Sequence, residues 1–66
     1  MITLKINGDS REFDHPLTLP ALLESLGLEK KPVVIELNET ALSPSEFEQS
    51  LSDGDCLEII VIAAGG

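Results

Sequence analysis

Leu19, Leu22, Leu23 and Leu26 stand at i, i+3, i+4 and i+7, between Thr18 and Gly27. That spacing puts four leucines on one face of a helix over about residues 19–26. The Thr18 side chain can accept from the orphan N–H groups of the first turn, and Pro20 is tolerated so close to the start. Gly27 supplies the left-handed residue on which such helices end. A helix this short owes its stability to whatever buries its stripe. The rest of the chain must therefore provide a cover.

The cover is written at period two. Ile2, Leu4 and Ile6 alternate with Thr3, Lys5 and Asn7, which predicts a strand over 2–6. Asn7-Gly8 signals a tight hairpin, because both central residues of that turn need positive φ. A second strand returns over 10–13, and Asp14-His15-Pro16 breaks it. Val33 to Leu37 is a strand rich in β-branched residues. Asn38-Glu39 turns into a short strand around Ala41 and Leu42. Ser43-Pro44-Ser45-Glu46 has capping-box spacing and predicts one to two helical turns running to about Gln49. Asp53-Gly54-Asp55 makes a turn, and Cys56 to Ile62 the last strand.

This order predicts an α+β fold: a mixed sheet of four to five strands, one main helix on one face and a short second helix. The first and last strands can pair in parallel at the centre, because a helix-containing connection lets the chain cross between them. Ile2, Leu4, Ile6, Val33, Ile35, Leu37, Leu57, Ile59 and Val61 then face the leucine stripe. Thr3, Lys5, Val34, Glu36, Cys56, Glu58, Ile60 and Ile62 face away.

Sixty-six residues allow one domain. A chain of about 60 residues buries only about 60% of its unfolded surface, so a catalytic pocket beside the core is not expected. Twelve acidic side chains against four basic ones give a net charge of −8. Nucleic acid and anionic membrane surfaces both demand a basic patch and are excluded as partners. The charge is uneven: from Pro32 onward there are seven acids and no Lys or Arg. A hydrophobic content of 42% is too high for a disordered acidic tail. The first residues carry no signal-peptide pattern, and the apolar run Ile59–Ala64 falls far short of the ~20 residues that span a bilayer. A soluble, cytoplasmic protein is expected.

Groups for chemistry are scarce. One His and one Cys support no nucleophilic triad. His15 reads as a solvated loop residue, since metals take three or four ligands, and no metal site is predicted. Cys56 reads as a small sheet residue with no basic neighbour in sequence to activate it. The five glycines never adopt the phosphate-loop spacing. The protein is not expected to be an enzyme or to bind a cofactor.

The terminal segment Ile62-Ala63-Ala64-Gly65-Gly66 carries more content. At ~7% Gly usage, a terminal Gly-Gly is a roughly one-in-two-hundred event. Residues 63–66 read as a flexible tail on a body of residues 1–62, and four such residues reach about 14 Å when extended. Small side chains let Ala63, Ala64 and Gly65 thread a narrow channel in a partner and present the carboxylate of Gly66. A carboxylate is a poor electrophile until activated, typically as an adenylate, so a separate ATP-using enzyme is implied.

Taken together, Asn7-Gly8, Leu22-Leu23, Ile35-Glu36-Leu37-Asn38, Ser43-Pro44, Leu51-Ser52-Asp53-Gly54-Asp55, the apolar strand 57–62 and Gly65-Gly66 resemble the sulfur carrier proteins of thiamine biosynthesis. The resemblance covers the whole chain. It implies a ubiquitin-like β-grasp fold. It also implies that Gly66 is adenylated by an enzyme of the ubiquitin-activating type and converted to a thiocarboxylate with sulfur drawn from cysteine. Thiazole synthase is then the acceptor. One departure is Ser45, where many members carry arginine. The small subunit of molybdopterin synthase shares the fold, tail and chemistry but is usually longer; a protein modifier and a non-covalent ubiquitin-like adaptor are further alternatives. Outward-facing Ile60 and Ile62, with Val34 beside them, are the expected docking surface for the activating enzyme.

Overall fold

The computed structural model describes residues 1–62. The expectations for Ala63, Ala64, Gly65 and Gly66 lie outside the described residues.

Five strands form one sheet. They are β1 (Ile2–Ile6), β2 (Asp9–Phe13), β3 (Val33–Leu37), β4 (Thr40–Ala41) and β5 (Cys56–Val61), in the order β2-β1-β5-β3-β4. β1 and β5 run parallel at the centre, and every other pair is antiparallel. The helix α1 (Leu19–Ser25) packs its leucines into the core beside the sheet's inner face. This is the β-grasp arrangement.

Local sequence accounts for the elements. Asn7 and Gly8 both have positive φ, 51° and 89°, as a two-residue hairpin with right-handed strand twist requires. The Thr18 hydroxyl accepts from the Ala21 N–H at 3.2 Å and caps α1. At the other end Leu28 N–H donates to Leu23 O at 2.8 Å and Gly27 N–H to Glu24 O at 3.0 Å. With Gly27 at φ 75° the helix closes as a Schellman motif. Leu4, Leu19, Leu22, Ile35 and Leu57 are fully buried. Leu17 and Leu51, which lie outside the regular elements, complete the core with them.

Two expectations are corrected. The segment from Pro44 is only a three-residue 3-10 turn, Pro44–Glu46, and does not run on to Gln49. Its capping box forms, with Ser43 N–H donating to Glu46 Oε1 at 2.8 Å. Beyond it, Gln49 O accepts from Leu19 N–H at 2.8 Å, and Leu51 N–H donates to Leu17 O at 2.8 Å. Gln49 N–H donates to Phe47 O at 3.0 Å, so the bond back to Ser45 that would carry a helix to Gln49 is not made, and the chain turns to pair with the segment entering α1. The second correction is Val61, expected on the covered face but 45% exposed. Alternation decides which face a side chain points to, whereas cover depends on what stands above it, and the core layer stops short of Val61.

β5 is held by more than its ladders. Its parallel pairing with β1 spans only Lys5↔Cys56 and Ile6↔Leu57. Asn7 extends the contact: its Nδ2 donates to Ile59 O at 3.1 Å, and Ile59 N–H donates to Asn7 Oδ1 at 2.7 Å. On the other side Asn38 N–H donates to Cys56 O at 2.8 Å, and Cys56 N–H donates to Asn38 Oδ1 at 2.9 Å. The turn leading into β5 is tied to β1 through Thr3, whose N–H donates to Asp53 Oδ1 at 2.7 Å and whose O accepts from Gly54 N–H at 2.8 Å.

Candidate functional site

β5 is a central strand, clamped on both edges, and it leads directly toward residues 63–66. Just past β5, Ile62 N–H donates to Pro32 O at 2.9 Å. The end of the described chain is therefore tied to the loop that precedes β3.

Around Ile62 the surface is apolar. Val34 and Ile60 are register partners on the outer sheet face, 42% and 59% exposed. Ile62 is 48% exposed. The three residues expected to form a docking surface are thus all exposed. Sequence reasoning missed Val61, whose exposure makes Ile60, Val61 and Ile62 three consecutive exposed aliphatic residues. Alternation alone gave no signal for it.

The outer face changes character two residues further along each strand. Glu36 and Glu58 lie directly opposite each other, next to the Val34↔Ile60 pair. Like charges so placed repel. Glu39, Lys5 and Cys56 share a shallow depression with them. Among the described residues the only ion pair is elsewhere, between His15 and Asp14, so Lys5 neutralises neither glutamate by direct contact. An acidic band thus borders the apolar band, a surface suited to a partner with an apolar centre and a basic rim.

The titratable groups singled out from sequence sit apart from this face or make no site there. His15 Nδ1 lies 2.6 Å from Asp14 Oδ1, both side chains being exposed, and this contact holds the Asp14 carboxyl below its ordinary range. Such a surface pair adds little stability. Glu46 is likewise held low by hydrogen bonds from the Ser43 backbone and hydroxyl. Cys56 is an exposed free thiol, its Sγ 3.9 Å from Gly54 O. Ser45 is exposed, with its Oγ 3.0 Å from that of Ser43. Among the described residues no cluster of three His, Cys, Asp or Glu could hold a metal ion. No described helix is long and apolar enough to cross a membrane.

Known proteins resemble the chain along nearly all of its length. It is 37% identical over 62 residues to the sulfur carrier protein ThiS of Thermus thermophilus, covering 92% of this chain and 95% of that protein. It is 39% identical over 64 residues to a thiazole synthase of Paramagnetospirillum magneticum, covering 96% of this chain but spanning only 20% of that protein's length. The crystal structure of the thiamine biosynthesis protein ThiS from Geobacter metallireducens superposes with a TM-score of 0.81 at 29% identity, covering 98% of this chain and all of that one. The ThiS family model matches residues 4–66, so the chain belongs to the ThiS family.

Proposed function

We propose that the protein is a sulfur carrier of thiamine biosynthesis whose reactive group is the α-carboxyl of Gly66. The observation that carries this reading is the family match, which runs from residue 4 through Gly65-Gly66. The relative named thiazole synthase adds support, since a segment like this chain makes up 20% of its length. In that relative, a segment like this chain shares one polypeptide with the rest of a protein named for the expected acceptor.

The chemistry follows from the weakness of a carboxylate as an electrophile. An ATP-using enzyme of the ubiquitin-activating type transfers adenylate to Gly66 and releases pyrophosphate. Sulfur that originates from cysteine and is delivered at the sulfide level then attacks the carbonyl carbon; a C–S bond forms, the C–O bond to AMP breaks, and a thiocarboxylate is left. Thiazole synthase takes the sulfur from that group. The chain supplies no catalytic side chain and binds no cofactor; ATP belongs to the partner, and the reaction is cytoplasmic.

What the protein contributes is presentation. Residues 1–62 act as the body, and Ala63, Ala64 and Gly65 thread the partner's active site because none has a side chain larger than a methyl group. Val34, Ile60 and Ile62 dock the activating enzyme, with the acidic band from Glu36 and Glu58 steering a basic rim into register. Deleting Gly66 in the native host tests the reading. Growth without thiamine should be lost, and growth that survives the deletion contradicts it.

A further inference from the structure

Asn7-Gly8 is the chain's only Asn-Gly dipeptide. Asparagine is a thermally labile residue, and a following glycine has no Cβ to hinder attack by its own amide nitrogen on the carboxamide. Gly8 is exposed, with open space around it, and its N–H makes no hydrogen bond among the described residues. The nucleophile is free. The electrophile is not, because the Asn7 carboxamide is committed to Ile59 through Oδ1 at 2.7 Å and Nδ2 at 3.1 Å.

We propose that Asn7 is a deamidation site, guarded by its contact with Ile59, and that its reaction irreversibly unlatches β5. The Gly8 nitrogen gives its proton to base and attacks Cγ of Asn7. A new N–C bond forms, the Cγ–Nδ2 bond breaks, and ammonia leaves with a proton from the medium. Water then opens the resulting cyclic imide at either carbonyl, leaving aspartate or isoaspartate. Water is the sole co-reactant, and nothing is oxidised or reduced.

Attack converts planar Cγ to a tetrahedral centre, and departure of Nδ2 removes the donor to Ile59 O. Both bonds must therefore yield, so the reaction waits for the β1–β5 contact to open. A carboxylate at position 7 cannot donate to Ile59 O and sets two acceptors against each other. Isoaspartate also routes the backbone through a side-chain carbon, lengthening a turn that has only two residues. Asn38 is the internal control. It too has positive φ, 50°, and a bonded amide, but Glu39 follows it and its Cβ obstructs attack.

The full chain is incubated at mildly alkaline pH in buffer and, in parallel, in concentrated urea, with conversion followed by intact mass and peptide mapping. Conversion is expected at residue 7 and not at residue 38, and at residue 7 it should be at least about ten-fold slower in buffer than in urea. The deamidated fraction should unfold at a lower urea concentration. Equal rates in the two conditions, no conversion in urea, or an unchanged unfolding midpoint would overturn the proposal.

Discussion

The carboxamide of Asn7 meets the backbone of Ile59 as another strand residue would, accepting from its N–H at 2.7 Å and donating to its carbonyl at 3.1 Å. β1 has already turned into the hairpin at that point, so a side chain completes a ladder the main chain has left. Asn7→Gly keeps the positive φ and deletes the two bonds. Its expected cost is about 1–3 kcal/mol, read as a lower urea midpoint with unchanged slope.

Glu39 holds φ 71° in the β3–β4 turn, a conformation in which Cβ crowds the backbone. It also adds an acid beside Glu36 and Glu58. Glu39→Gly should therefore raise stability by about 0.5 kcal/mol or more, despite glycine's greater freedom in the unfolded chain. Thermal unfolding of the variant at neutral pH and low salt is the check, and a lower Tm would contradict it.

The Glu46 carboxyl is held below its ordinary range by the Ser43 N–H and hydroxyl. A depressed carboxyl contributes stability that is present above its unfolded-state pKa and is lost as pH falls through its lower folded-state pKa. Acid titration of stability should therefore be shallower in Ser43→Ala than in the parent across the acidic end of the carboxylate range. Comparing the two proteins cancels the relief of net-charge repulsion, which is common to both.

Much of this was legible in the sequence because short-range rules govern it. The Leu19/22/23/26 stripe, the Thr18 cap, Gly27 and the Asn7-Gly8 turn each have a local cause, and together they gave the helix, the hairpin and the mixed sheet. The exposure of Val34, Ile60 and Ile62 followed from alternation. Non-local facts did not show. Leu17 and Leu51 enter the core from irregular segments, joined by a backbone bond between residues far apart in sequence. Asn7 and Asn38 read as turn formers only, since their second role depends on where β5 passes. Val61 was misplaced because period two says nothing about how far the covering layer extends.

Ile60 projects from the outer face, 59% exposed and opposite Val34. Ile60→Glu removes no core contact, so its unfolding midpoint should stay within about 0.5 kcal/mol of the parent's. It places a charge in the apolar band, and adenylation by the activating enzyme should slow at least about ten-fold, the ratio that about 1.4 kcal/mol of lost binding gives. Unchanged activation kinetics would remove this face from the docking surface.

The central claim is that Gly66 carries sulfur, and the intact mass of the protein isolated from its native host during thiamine starvation tests it most directly. The account predicts a species heavier by the replacement of one oxygen with sulfur, with fragmentation assigning the change to Gly66. A population carrying only the unmodified carboxylate under those conditions would contradict it.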